Sequence, residues 1–328
     1  MNCWALPVTI EPLIMNTAKP QPIEDGTLLQ FGDHIFTFGK EVVELEDSSS
    51  LLKAGDFNGL HERMAQDGYL FLRGFHPRKL AEKAALRTLQ AIAQKGGIKP
   101  GTPVEDGIAA QDGQSYGFFR EVEVSHSPEV LAVVNGPHTF DFYEKYFGGP
   151  VLTFDKRWLR AMGKGGSNFF HYDSAYVGRG THNRVTMWSA LTDTPLTNGP
   201  LIICLGSHRD QRLKETYGQI DMDRDLVDPV FSKDAAEMVS QFGFTLATAH
   251  FQPGDVIIFG LFMMHSSVPN MTDRYRISID TRYQLASEAK DERFFGADGN
   301  WLGNFYNKDA SYTPMEEMRD QWGLKKED

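Results

Sequence analysis

The chain has 328 residues, of which 41% are hydrophobic and 23% are charged, close to ordinary globular usage, so wholesale disorder and fibrous repeats are excluded. Its net charge is 33 minus 44, or −11, which argues against nonspecific attraction to nucleic acid or anionic membranes. Two cysteines, Cys3 and Cys204, are too few for a disulfide framework or a four-cysteine zinc site, so a cytoplasmic location is expected.

Neither secretion nor a membrane span is expected. Residues 1–20 have no basic residue before Lys19 and contain prolines, which is not the pattern of a signal or transit peptide. The longest apolar run, Val256 to Met264, is far shorter than the ~20 residues that cross a bilayer.

The N-terminal half is predicted to support a later core. Residues 1–55 are interpreted as an extension with a hairpin, because TLLQFGDHIFTFGKEVVEL has short β-rich runs separated by Gly-Asp and Gly-Lys. Residues 56–149 are predicted to be mainly helical, with a long surface loop over 95–114. The helices are expected over 57–69, 78–94 and 137–147, with YLFLRGF as a buried strand between the first two.

Residues 150–285 are predicted to form the β core. Six or more short β segments follow Gly148-Gly149-Pro150, and such a series is typical of a barrel or a sandwich. A charged stretch over 206–250 is interpreted as an insertion between core strands, placed to act as a lid. Residues 286–328 are predicted to form a tail that ends in the helix PMEEMRDQWG, and 1–328 is expected to be a single catalytic domain.

The segment SNFFHYD carries the first candidate metal ligands. In a strand, residues i and i+2 point to the same face, so His171 and Asp173 can bind one ion together. The pattern alone is weak, because His208-Arg209-Asp210 repeats it and also imitates the HRD of protein kinases. The kinase interpretation fails because the sequence has neither the DFG motif nor the Gly-rich loop of protein kinases.

His265 is the candidate third ligand. A Pro-Gly-Asp turn leads into the apolar strand VIIFGLFMM, which His265 is expected to end. His250, before the turn, is the rival, and a buried structural histidine is the simpler alternative. Two imidazoles and one carboxylate can occupy one face of an octahedral Fe(II) ion and leave three positions open.

A polar face follows on the last strand of the core. Arg276, Ser278, Asp280 and Arg282 alternate with apolar or neutral residues. Guanidinium pairs bidentately with carboxylates, so one arginine is a candidate for binding a dicarboxylate beside the metal. A structural salt bridge, such as Arg282 with Asp280, is the alternative, and spacing does not choose among Arg274, Arg276 and Arg282.

The motifs FFHYDSAY, WSALTD, NGPLIICLGSH, PGDVIIF and HSSVPNMTDRYRIS occur in an order that resembles the phytanoyl-CoA dioxygenase family of Fe(II)/2-oxoglutarate-dependent oxygenases. The resemblance covers roughly residues 150–285. It implies an α+β, mainly β fold whose core is a double-stranded β-helix, a jelly roll of the cupin kind, flanked by N-terminal helices.

The resemblance also implies roles for six residues. His171, Asp173 and His265 would be catalytic iron ligands, Arg276 would bind the distal carboxylate of 2-oxoglutarate, and Ser267 and Trp188 would contact that cosubstrate. O2 would be the second cosubstrate. The expected reaction is hydroxylation of a C–H bond of a small molecule, with decarboxylation of 2-oxoglutarate to succinate and CO2. Halogenases of this kind carry a small residue at the position of Asp173, so a carboxylate favours hydroxylation or desaturation.

Two departures prevent transfer of a substrate from the family. The family usually has Pro-Gly-Ser-His where this chain has Leu205-Gly206-Ser207-His208, and the lysine often found in the strand before the iron motif is replaced near Met162. Two other functions stay open: a cupin-like Zn or Mn isomerase or hydrolase, and a non-catalytic member of the fold. Oligomeric state is not predicted, and neither nucleic acid nor membrane is expected as a partner.

Overall fold

The structure, a computed structural model, describes residues 22–111, 115–119, 121–296 and 310–324. The first part of the predicted N-terminal extension, with Cys3, lies outside the described residues. So does much of the predicted C-terminal tail.

The described chain combines strands and helices. In chain order, the strands are β1 (Leu28–Phe31), β2 (His34–Thr37), β3 (Val42–Glu44), β4 (Tyr69–Leu72), β5 (Val151–Thr153), β6 (Trp158–Met162), β7 (Val185–Ala190), β8 (Leu201–Leu205), β9 (Thr245–Thr248), β10 (Val256–Gly260), β11 (His265–Ser267) and β12 (Arg276–Leu285). The helices are α1 (Ser49–Ala54), α2 (Phe57–Asp67), α3 (Arg78–Gln94), α4 (Val122–Ser125), α5 (Pro128–Val134), α6 (Pro137–Phe147), α7 (Ser174–Val177), α8 (Gln211–Glu215), α9 (Met222–Asp225), α10 (Ala235–Ser240) and α11 (Met315–Gln321).

Two sheets form the centre of the molecule. The larger has the strand order β4-β10-β7-β12-β5, with β6 also paired to β12, and the smaller has the order β11-β8-β9-β3. One buried cluster joins their facing sides, with Trp188 and Ile257 from the larger sheet and Ile203 and Ala247 from the smaller. The site described below opens at one end of this shared interior.

The N-terminal helices cover the outer face of the larger sheet. Ile277, Ile279 and Tyr283 of β12 pack in one cluster with Leu89 of α3 and Tyr143 of α6. The rings of Tyr143 and Tyr283 stack with centroids 4.0 Å apart. Because burial of apolar surface is the main stabilising contribution in folding, this layer fixes the sheet behind the site.

Helix α2 shows how local sequence sets the element boundaries. The side chain of Asp56 caps its first turn by accepting from Gly59 N at 2.8 Å, a common way to satisfy a free helical N–H. Gly68 ends it with φ 79°, a left-handed conformation that favours glycine. A Cβ at Gly68 would lie 2.5 Å from the ring of His208, so glycine also makes room for that histidine.

Most of the predicted elements are confirmed. The hairpin is present as β1 and β2, paired antiparallel, and the three predicted helices correspond to α2, α3 and α6. The C-terminal helix is α11. Helices α4 and α5 were not predicted, although Pro128 marks the start of α5.

Three predictions about the core are wrong in detail. SNFFHYD is not a strand: only Phe170 and His171 make isolated bridges, and Asp173 is helical at φ −63° and precedes α7. His265 does not end the apolar strand but begins β11 in the other sheet, after a turn that follows β10. The interval 206–250 is not wholly an insertion, because it contains β9, which pairs with β8.

Candidate metal centre and cosubstrate pocket

Two separate segments bring the three predicted ligands together. His171 and His265 pair through reciprocal backbone hydrogen bonds of 3.1 and 3.2 Å, and their imidazole centroids are 4.3 Å apart. The turn into α7 then brings the Asp173 carboxylate to the same point. One ligand atom from each residue lies within 4.8 Å of the others. Within the described ranges, this is the one group of three such side chains that could hold a metal ion.

Backbone carbonyls orient both imidazoles. Nδ1 of His171 donates to the carbonyl of Phe169 at 2.7 Å, and Nδ1 of His265 donates to that of Met263 at 2.9 Å. Since a carbonyl only accepts, these bonds place the proton on Nδ1 and leave each Nε2 lone pair for a metal. Burial, and then the neighbouring His265, lowers the pKa of His171 to about 3. Burial also lowers the pKa of His265, so both rings are neutral near pH 7.

The Asp173 carboxylate is held by two other side chains. Nη2 of Arg282 donates to both of its oxygens at 2.8 Å, and the Thr186 hydroxyl donates to Oδ2. Oδ1 faces Nε2 of His171 at 3.8 Å. Burial opposes ionisation, but Arg282 holds the pKa of Asp173 well below its ordinary value. The carboxylate is therefore ionised, with Oδ1 the oxygen better placed for a metal.

Arg276 has hydrogen-bond donors that no other described side chain satisfies. It is 1% exposed, and one Nη donates to Ser278 while Nε and the other Nη have no partner among the residues that the structure describes. Burial, and then Arg160, lowers the pKa of Arg276 to about 9, so it stays charged at neutral pH. A buried cation with unused donors is costly, and a carboxylate at this point would satisfy it bidentately.

The other two candidate arginines are engaged elsewhere. Arg274 is exposed and donates to the carbonyl of Asp106 at 2.7 Å. Arg282 donates to Asp280 as well as Asp173, as the salt-bridge alternative predicted. The structure therefore favours Arg276 for a cosubstrate carboxylate.

The remaining predicted residues lie near this point. Trp188 is buried with the Arg276 Cζ 5.9 Å from its ring centroid. Ser267 is also buried, and its hydroxyl accepts from the backbone N–H of Asn168 at 2.8 Å. The rival histidines His208 and His250 are outside the metal-binding group.

A cavity of about 300 Å³ reaches the metal group from outside. Its apolar and aromatic lining comprises Phe118, Trp158, Phe169, Tyr176, Val177, Met222 and Val230. Arg160, Asn168 and Arg282 add polar groups to the wall, beside His171 and Asp173. Such a mostly apolar cavity with a few polar groups is typical of a small-molecule site.

Two residues with a role here were missed in the sequence. Thr186 faces Arg282 across the β7–β12 pair, and strand alternation places it on the same side of β7 as Trp188. Arg160 lies in β6 opposite Ser278. Alternation could have identified both residues, but only the strand register shows which residues they face.

The sequence belongs to a known family. The model of the phytanoyl-CoA dioxygenase family, PhyH, matches residues 64–278, well over half of the chain. The 1-deoxypentalenic acid 11-beta-hydroxylase of Streptomyces arenae is 30% identical over 268 residues, which are 77% of this chain and 88% of that protein. The enzyme of the same name from Streptomyces exfoliatus is 29% identical over 265 residues, which are 75% of this chain and 86% of that protein.

A solved structure supports the fold. The epimerase SnoN from nogalamycin biosynthesis, in complex with Fe3+, alpha ketoglutarate and nogalamycin RO, matches with a TM-score of 0.51 and 17% identity, over 79% of this chain and 94% of that one. No helix in the described part of this chain is long and apolar enough to cross a membrane.

This chain is therefore a member of the phytanoyl-CoA dioxygenase family. It is an Fe(II)/2-oxoglutarate-dependent oxygenase, with O2 as the other cosubstrate. The neutral imidazoles, the ionised Asp173 and the unsatisfied Arg276 fit these groups.

Proposed function

We propose that the enzyme hydroxylates a C–H bond of a small molecule while 2-oxoglutarate is decarboxylated to succinate and CO2. One observation carries the proposal: Arg276, a buried arginine with donors that no described residue satisfies, lies on the same face of β12 as Arg282, which binds the Asp173 carboxylate of the metal-ligand group. Iron bound there would supply oxidation by O2, and the protein would hold the reactants in position.

Each residue has a proposed role. His171 and His265 would bind iron through Nε2 and Asp173 through Oδ1, and these three are the proposed catalytic residues. Arg276 would bind the distal carboxylate of 2-oxoglutarate, with Ser267 and Trp188 in contact with the same molecule.

The two facing sheets are proposed to form a double-stranded β-helix over 150–285. The N-terminal helices and the tail would complete a single catalytic domain over 1–328.

The substrate is proposed to be a small, mostly apolar molecule. The cavity of about 300 Å³ is at the lower end of the range for small-molecule sites. The two Streptomyces hydroxylases act on 1-deoxypentalenic acid, as their names state, and that acid is a reasonable first candidate.

The decisive test is anaerobic titration of the Fe(II) protein with 2-oxoglutarate. A chelated keto acid gives a weak visible charge-transfer band, so the band should appear and saturate at one equivalent. Succinate should then form in air, and faster with 1-deoxypentalenic acid if that acid is a substrate. A protein that shows no band and forms no succinate with iron would instead be a Zn or Mn isomerase or hydrolase, or a non-catalytic member.

A further inference from the structure

Four side chains form a row of alternating charge between the metal group and the cavity wall. Arg282 bridges Asp173, at 2.8 Å, and Asp280, at 2.7 Å. The other oxygen of Asp280 accepts from Nε of Arg160 at 2.8 Å. The row begins at the proposed iron ligand and ends on the positive charge of Arg160.

Arg160 is the member of the row that is open to a ligand. Its side chain is 16% exposed, compared with 5% for Arg282 and 6% for Asp280, and it lines the cavity. Nη1 donates to the carbonyl of Gly117 at 2.9 Å. Nη2 makes no hydrogen bond to any residue of the described ranges. The guanidinium is thus fixed at two atoms and keeps a third for a ligand.

The loaded site would carry one excess positive charge. Arg160, Arg276 and Arg282 contribute +3, and Asp173 and Asp280 contribute −2, which leaves +1 with neutral imidazoles. Fe(II) and the 2-oxoglutarate dianion would cancel each other.

Within a chain of net charge −11, this excess is a local reversal, and a charge in such a cleft is weakly screened.

We infer that the substrate is a monoanion, a carboxylate on a mostly apolar skeleton, and that Arg160 binds the carboxylate. The inference rests on the proposed function, since the excess charge is counted with iron and 2-oxoglutarate bound. Arg276 is assigned to the cosubstrate, is 1% exposed and does not line the cavity. Arg282 is not available because two carboxylates already engage it.

Matched acids and amides test the inference. The anaerobic Fe(II)–2-oxoglutarate complex would be titrated in a calorimeter with cyclohexanecarboxylate and 1-adamantanecarboxylate, and then with the primary amide of each. An acid and its primary amide have nearly the same shape, so any difference between their affinities reports the effect of the charge. We expect at least one acid to bind roughly tenfold to a hundredfold more tightly than its amide, which is the range for hydrogen bonds to charged groups.

Variants assign the preference to Arg160. Arg160→Met should abolish the preference for the acid and leave the affinity for the amide unchanged, while Arg160→Lys should keep part of it. Arg78→Met is the control, because Arg78, like Arg160, is paired with carboxylate, here Glu82 and Asp193, but does not line the cavity. Asp280 keeps Arg282 as a partner in the Arg160 variants, and circular dichroism would verify their fold.

Three results would overturn the inference: equal binding of acids and amides, a preference that survives in Arg160→Met, or no binding by either acid. The charge-transfer band separates this test from that of the proposed function. If the band appears but acids bind no better than amides, the anion site is contradicted and the proposed function is not. If acids bind better but no band appears, the proposed function is contradicted and the anion site is not.

Discussion

The two faces of strand β12 differ sharply although they share one backbone. The inner face carries Arg276, Asp280 and Arg282, all buried and charged. The outer face carries Ile279 and Tyr283, which pack against the N-terminal helices. The outer face is covered by packed apolar and aromatic side chains of the protein itself. On the inner face, Arg276 keeps charged donors that no described residue satisfies.

The residues that stabilise the sheet and the residues proposed to bind ligands therefore lie on opposite faces of β12. Packed apolar surface stabilises the sheet, and buried charge is kept where a ligand completes it. The outer side of the larger sheet also contains polar groups that pair with one another: His76 contacts Ser189 of β7 at 3.0 Å and His138 at 2.9 Å. Variants on the two faces should therefore give opposite phenotypes.

The largest effect is expected from Asp173→Ala on the inner side. It removes a proposed ligand and leaves Arg282 beside two neutral imidazoles, so Fe(II) affinity should fall by at least about a hundredfold. Anaerobic calorimetry measures this affinity. The control is Asp210→Ala, which removes the aspartate of the second His-x-Asp match, a cap of α8 and an ion pair with Arg212, all outside the metal-ligand group. Unchanged iron affinity in Asp173→Ala would show that the metal binds elsewhere.

Ile279→Ala should affect the outer face alone. The residue is fully buried, so truncation should lower the free energy of unfolding by about 2–5 kcal/mol, measured by urea denaturation. Metal affinity should stay within about twofold. Met271→Ala, at a side chain that is 46% exposed, is the control and should change stability by less than about 0.5 kcal/mol. A loss of iron binding equal to that of Asp173→Ala would erase the distinction between the faces.

Arg276→Met should weaken 2-oxoglutarate binding by roughly a hundredfold, because it removes charge-assisted hydrogen bonds, while Fe(II) affinity is retained. The unloaded protein should be equally or more stable, since a buried unsatisfied cation is lost. The charge-transfer titration and thermal unfolding measure the two effects. Arg274→Met, at an exposed arginine, should change neither. If it weakened 2-oxoglutarate as much as Arg276→Met, the proposed role of Arg276 would be wrong.

The smallest expected effect is the contribution of His76, on the outer side of the larger sheet, to the pH dependence of stability. Burial, and then His138, lowers the pKa of His76 well below 6.5. As the pH falls, His76 is therefore protonated in the unfolded chain before it is protonated in the folded one. Its contribution to the free energy of unfolding is complete above about pH 6.5 and decreases below that pH, by at most ~1.4 kcal/mol per pH unit. His76→Gln should reduce this slope in urea denaturation at about pH 7 and pH 5. An unchanged slope would mean that His76 is protonated in the folded state.

Local patterns were sufficient for much of the fold. The apolar periodicity of α2, α3 and α6 and the turns around β1 and β2 depend on neighbours in sequence, and those elements were predicted. The segment around Asp173 was not, because its helical turn follows from bridges of Phe170 and His171 to distant residues. Those bridges carry no local signal.

The residue types of the site and the family could be read from local sequence motifs, since the His-x-Asp pair, the later histidine and the arginine-bearing strand occur in a characteristic order. Which histidines and arginines act together depends on the folded chain. His208 lies beside Gly68, His265 pairs with His171, and Arg282 binds Asp173, while Arg276 keeps donors that no described residue satisfies. The physical reason is that strand register and burial set the partners of a charge, and both are properties of residues far apart in the chain.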